Sequence, residues 1–202
     1  VLVDIGGGTT DICVYFEGEV RHSAVIALGG DSISNDLAMM TQVSIEEAEE
    51  IKNNYGSAKA AMASTDLEFE LPHSADETPR KASEHEVSRY VEARMTEIFQ
   101  MVKREIERAD IENPVSFGVV LTGGGSLLKN AASLGEEILN AQVKIGIPKG
   151  LSGVVDVAAS PIYATAIGLV QHPTIEYDTV HRRSASMGKV VENIGGWFRE
   201  FF

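Results

Sequence analysis

Apolar and polar positions alternate, or run apolar, over Val1–Ile5, Asp11–Phe16 and Glu19–Ala27, the pattern of three antiparallel strands with Glu17-Gly18 as the second turn. The period then changes. Beyond Leu28-Gly29-Gly30-Asp31, Ile33, Leu37 and Met40 share one helical face and predict a helix through about Met40. Ser44-Ile45-Glu46-Glu47 reads as a capping box opening a helix that ends near Tyr55-Gly56. Small residues from Ala58 lead to a short strand at Leu67–Leu71, and the polar, Pro-bearing stretch Pro72–Lys81 predicts a loop. Ser83-Glu84-His85-Glu86 is a second capping box. The helix after it should run to about Ala109, with Val87, Val91, Met95, Ile98, Val102 and Ile106 along one stripe. A buried strand at Val115–Leu121, a glycine turn opening a helix, a short strand at Gln142–Ile147 and a helix over Pro161–Val170 complete the body. Residues 173–187 are polar and unpatterned, a linker, and 188–202 return to helical periodicity.

Two glycine turns carry the candidate chemistry. In the first, Asp4-Ile5-Gly6-Gly7-Gly8-Thr9-Thr10-Asp11, one strand enters and another leaves with no helix between. Glycines without Cβ atoms expose backbone N–H groups to an anion, the threonine hydroxyls can donate to phosphate oxygens, and a carboxylate at the strand end can reach hydrated Mg²⁺. The loop lacks the Lys of a P-loop and does not open a helix as a dinucleotide fingerprint does. The competing reading, and the weaker of the two, is an ordinary glycine-rich hairpin turn. The second turn, Thr122-Gly123-Gly124-Gly125-Ser126, places bare backbone at a predicted strand–helix junction, where anions or carbonyl-rich rings are favoured. Glu49 and Lys52 lie three apart on one helix face; they could grip ribose hydroxyls, or simply form a solvated pair.

Composition narrows the partners. A net charge of −13 on 202 residues argues against nucleic acid, which demands clustered Lys and Arg. One cysteine excludes an internal disulfide, and five scattered histidines do not make a metal site. A strand that begins at residue 1 without an initiator Met reads as part of a longer chain. Near the end, Val190, Val191, Ile194, Trp197, Phe198, Phe201 and Phe202 occupy one side of a helical wheel, with Lys189, Glu192, Asn193, Gly196, Arg199 and Glu200 on the other. An aromatic-rich stripe after a polar linker suits insertion at the headgroup boundary of a bilayer; the alternative is a helix that docks on protein.

The order Asp4–Asp11, Leu28–Asp31, Glu49–Lys52, Leu121–Ser126 resembles the actin-like ATPase superfamily. The segments Ala48–Gly56, Val119–Leu128, Ile147–Gly150 and Ser160–Leu169 look closest to its bacterial cell-division family, FtsA. The resemblance implies an α/β fold of the actin-like (ribonuclease H-like) ATPase type. Its subdomain IIA would comprise 1–40 and 110–172 and its subdomain IIB 41–109, followed by the linker 173–187 and a C-terminal amphipathic helix, 188–202, that targets the membrane. It implies ATP and Mg as cofactors. Asp4 would position Mg²⁺ through water, Gly6, Gly7, Gly8, Thr9 and Thr10 would hold the β- and γ-phosphates, and Gly29 and Gly30 would line the cleft. Glu49 and Lys52 would bind ribose, and Gly123, Gly124, Gly125 and Ser126 would face adenosine. Asn53 stands where chaperone relatives often carry an Arg that stacks on adenine. The resemblance further implies self-assembly into actin-like filaments and tethering of FtsZ to the cytoplasmic face of the cell membrane at the division site, with no nucleic acid as partner. Half of the nucleotide clamp would precede residue 1, so ATP binding by these residues alone should be weak or absent, and whether ATP is hydrolysed stays open. An actin-like pilus-assembly or cell-shape protein is the nearest alternative, and a sugar kinase or chaperone ATPase of the superfamily a more distant one.

Overall fold

In the computed structural model, which describes residues 1–72, 80–111, 115, 118–150 and 158–172, the alternating segments form strands at the expected places. β1 (Leu2–Ile5), β2 (Thr10–Phe16) and β3 (Glu19–Ile26) make an antiparallel meander. Glu17 and Gly18 both adopt positive φ, 52° and 86°, the primed turn geometry that matches strand twist. On the other side of β1, β6 (Val119–Thr122) and then β7 (Val143–Ile145) pair in parallel, giving a five-stranded mixed sheet of order β3-β2-β1-β6-β7. The parallel pairings need crossovers, and helices supply them.

α1 (Gly30–Thr41) and α2 (Ile45–Tyr55) follow β3. α3 (Glu84–Arg108) is the longest element, and all six residues of its predicted stripe are buried, joined by Ser88 and Phe99. Both capping boxes form, at Ser44/Glu47 and Ser83/Glu86. α3 packs against α1, α2, β2, β3 and α4 (Ala131–Leu139), so one apolar core runs from the sheet through the helical layer. Phe99 is fully buried where Gly135 of α4 leaves room: a Cβ there would lie 3.1 Å from the Phe99 ring. Arg94 of α3 grips Asp36 of α1 with two hydrogen bonds, 2.7 and 2.9 Å, and this contact holds its guanidinium pKa above the usual value.

Four segments differ from the sequence expectation. Within the loop read at Pro72–Lys81, Arg80 and Lys81 begin β5 (Arg80–Ser83), which pairs antiparallel with β4 (Glu68–Leu71). β4 alternates polar and apolar residues and is legible, whereas Arg80-Lys81-Ala82-Ser83 has no apolar alternation to reveal β5. The strand expected from Val115 starts only at Val119. The second glycine turn opens a single 3₁₀ turn, Gly124–Leu127, and α4 begins later, at Ala131. The helix expected from Pro161 begins as a 3₁₀ turn, Pro161–Tyr163, continuing as helical residues 164–172. The linker and the amphipathic helix lie outside the described residues.

Candidate functional site

The β1–β2 loop is closed by a hydrogen bond from Gly6 N–H to Thr9 O, 2.9 Å. Its carbonyls face α1: Gly6 O accepts from Gly30 N–H and Gly7 O from Asp31 N–H, both at 2.9 Å. These bonds explain why α1 starts at Gly29-Gly30 with no capping side chain, because the loop backbone caps it. They also require Gly29, where a Cβ would collide with Gly7 O and lie 2.6 Å from Gly6 O. With the loop carbonyls tied to α1, the N–H groups of Gly7 and Gly8 meet no acceptor among the described residues. Consecutive free N–H groups of this kind form an anion-binding concavity. The two threonines divide. Thr9 donates to Asp11 Oδ2 at 3.1 Å on the surface, whereas Thr10 is fully buried and donates to Leu28 O at 2.9 Å, securing the β3–α1 connection.

Glu49 and Lys52 are not a solvated pair. Lys52 is only 6% exposed, and its Nζ donates to Gly30 O at 3.1 Å, Ser34 Oγ at 3.0 Å and Glu49 Oε2 at 2.5 Å. Glu49 Oε2 also accepts from the buried Ser34 hydroxyl at 2.5 Å, and its Oε1 from Asn53 Nδ2 at 3.1 Å. Partial burial alone would push the Glu49 carboxyl up. The hydrogen bonds from Lys52 and Ser34 and the Lys52 charge outweigh it and hold the pKa below the usual carboxylate value. Asn53, which the resemblance sets against an adenine-stacking Arg, thus orients the Glu49 carboxylate.

At the second glycine turn Gly123 has φ +80°, and a Cβ there would overlap Asp4 Oδ1 and the Ile5 carbonyl. Ser126 is buried and its hydroxyl closes the turn on Gly123 O at 2.7 Å. Asp4 Oδ2 accepts from Thr165 Oγ1 at 2.6 Å, linking the first strand to helical residues 164–172.

One cavity of about 430 Å³ gathers these segments. Of the expected residues, Gly6, Gly7, Gly30, Glu49, Lys52, Gly124 and Gly125 line it; Asp4, Gly8, Thr9, Thr10, Gly29, Gly123 and Ser126 do not. Sequence reasoning missed Asp31, Gly56, Leu127, Leu128, Lys129 and Ile162 on its wall. Asp31 carried a signal, standing next to Gly29-Gly30. The apolar wall carried none, because Ile162 comes from a remote turn and approaches Gly124 only in three dimensions. No cluster of three or more metal-ligating side chains occurs among the described residues. The seven tail residues from Val190 to Phe202 lie outside them.

This sheet order, with the glycine hairpin and a second glycine turn lining one cavity, is that of an actin-like α/β fold, and solved structures agree. The chain superposes on the MreB5 of Spiroplasma citri bound to AMPPNP with a TM-score of 0.68 at 20% identity, covering 89% of this chain and 54% of that one. It superposes on the PilM–PilN type IV pilus biogenesis complex at 0.62 and 19%, covering 85% and 44%. Residues 1–168 match the family Cell division protein FtsA, and the chain belongs to that family. It is 42% identical to the FtsA of Pseudomonas aeruginosa over 171 residues, which is 85% of this chain and 41% of that protein. It is 32% identical to that of Escherichia coli K12 over 213 residues, 100% and 51%. The chain therefore spans about half the length of the curated relatives it matches.

Proposed function

We propose that this chain is the part of an actin-like cell-division protein that holds one side of ATP, assembles into filaments and anchors the FtsZ ring to the cytoplasmic face of the cell membrane. The observation that carries the nucleotide reading is the convergence of four distant segments, around Gly7, Gly30, Glu49 and Gly124, on one cavity. The free N–H groups of Gly7 and Gly8 suit the outer phosphates, the Glu49 carboxylate suits ribose hydroxyls, and Leu127, Leu128 and Ile162 offer an apolar wall to a purine. Solved neighbours were captured with AMPPNP and with ADP, which supports the same class of ligand here. The donor set fits Mg²⁺ only as an ion that arrives with the phosphates, since Asp31 is the one carboxylate beside the glycine loop on the cavity wall, and Asp4 lies off that wall with one oxygen engaged by Thr165. Such an ion would neutralise phosphate charge, with Asp31 and Asp4 meeting its water shell. Subdomain IIB would correspond to 41–109 and IIA to 1–40 with 110–172, and 188–202 would be the membrane helix.

Calorimetry with Mg-ATP on this sequence within a protein of its relatives' full length should show saturable binding that Gly7→Val abolishes, at the cost of only a small drop in melting temperature as the Asp31 side chain moves aside. A valine at this exposed loop position blocks the approach of phosphate to bare backbone. Binding that Gly7→Val leaves unchanged would place the phosphates elsewhere.

A further inference from the structure

The Glu49–Lys52 pair carries two opposite charges, but its geometry makes the two residues unequal. Lys52 has three protons and three acceptors at 2.5–3.1 Å, namely Glu49, Ser34 and Gly30 O. An ammonium so surrounded, and 6% exposed, has no proton left for a ligand. Glu49 is different. Its side chain is 44% exposed on the cavity, and Oε1 accepts only from Asn53, leaving a lone pair for an incoming hydroxyl. Ser34, 1% exposed on α1, completes the arrangement: it accepts from Lys52 and donates to Glu49 Oε2 at 2.5 Å. Gly30, whose carbonyl takes the third Lys52 proton, donates its own N–H to Gly6 O of the phosphate loop.

We propose that Ser34 and Lys52 are positioning residues which fix Glu49 against α1 and hence in register with the glycine loop, and that Glu49 alone reads the ribose hydroxyls. This rests on the adenosine reading given above. A Glu side chain has three rotatable bonds, so a carboxylate held at one oxygen by a buried hydroxyl and a buried ammonium meets ribose without the ordering cost a free one would incur. The phosphates and the ribose are then measured from one rigid point, the first turn of α1. No side chain outside this cluster is required, and Ser34 itself need never touch ligand.

The test compares the affinity of ATP with that of 2′,3′-dideoxyATP, in the presence of Mg²⁺, for this sequence within a protein of its relatives' full length. The wild-type protein should prefer ATP. Ser34→Ala should lower ATP affinity about ten-fold, leave dideoxyATP nearly unchanged and so collapse the ratio. Ser34→Thr, which restores a hydroxyl, should recover the ratio, and Glu49→Gln should collapse it as Ser34→Ala does. If Ser34→Ala weakens both nucleotides equally, its role is general packing and the proposal falls. It falls equally if the ratio stays at the wild-type value. A wild-type protein that binds ATP with no preference over dideoxyATP overturns the ribose reading itself, an outcome distinct from either of these.

Discussion

At the scale of single residues, the glycines of the first loop have separable functions. Gly29 sits under the Gly6 and Gly7 carbonyls, at 2.6 Å from Gly6 O for a notional Cβ, whereas nothing lies within 4 Å of a Cβ on Gly8. An added methyl group at Gly29 must push the loop away from α1 and break the two bonds that cap the helix. Gly29→Ala should therefore cost about 2 kcal/mol, as overpacking does, and should weaken Mg-ATP binding in the same variant. Gly8→Ala should leave stability within about 0.5 kcal/mol of wild type. Thermal melts of the two variants check this, and equal effects would mean that the loop does not rest on α1 as described. Gly7 lies between these cases, because its notional Cβ meets only the Asp31 carboxylate, at 2.9 Å, which a side chain can vacate.

At the scale of elements, α3 depends on its first turn. Ser83 Oγ accepts from Glu86 N–H at 3.2 Å while Glu86 Oε2 accepts from Ser83 N–H at 2.9 Å. Glu84 in the same turn accepts from Lys129 at 2.9 Å and from Ser64 N–H at 3.0 Å. Hydrogen bonding to Lys129 holds the Glu84 pKa below the usual value, and hydrogen bonding to Ser83 does the same for Glu86. A carboxyl whose pKa is lower folded than unfolded binds fewer protons in the native state. Its stabilisation is thus present above the unfolded value and is lost as pH falls through the folded one. Urea midpoints should fall as pH drops below the ordinary glutamate range, and Lys129→Met should make that fall shallower by returning Glu84 toward its unfolded value. Ser83→Ala should cost about 1 kcal/mol at neutral pH. These elements also show what the sequence made legible. Both capping boxes and the α3 stripe are local patterns, read within a few residues, and they formed as expected. β5 was invisible because Arg80–Ser83 gains strand structure only from its partner β4. Likewise, the engagement of Lys52 depends on Ser34, eighteen residues away on another helix. The convergence of Ile162 with Gly124 is longer-range still. The glycine turns were readable as local patterns, but which expected residues reach the cavity wall, and which keep a free donor, was not, because both are set by tertiary contacts.

At the scale of the whole molecule, charge and the tail act in opposite directions. The chain carries −13, and 181–202 contain His181, Arg182, Arg183, Lys189 and Arg199 against Glu192 and Glu200, so the acidic excess lies in the body. An anionic bilayer repels such a body, and between Gly188 and Phe202 two cations face two carboxylates. Among the described residues no helix is long and apolar enough to cross a membrane. Membrane attachment under the proposed function must then come from apolar burial of Val190, Val191, Ile194, Trp197, Phe198, Phe201 and Phe202 at the headgroup boundary. Burying one large apolar side chain contributes about 2 kcal/mol, which in binding corresponds to roughly a thirty-fold change in affinity. Trp197→Glu removes that contribution and places a charge on the apolar stripe, so it should shift the protein from the vesicle fraction to the soluble fraction in a flotation assay. Salt should act only modestly on the wild type, because screening weakens the repulsion of the acidic body along with any attraction of the tail cations. Flotation that collapses at moderate salt would assign attachment to Arg182, Arg183 and Lys189. Flotation unaffected by Trp197→Glu would mean that the stripe packs against protein.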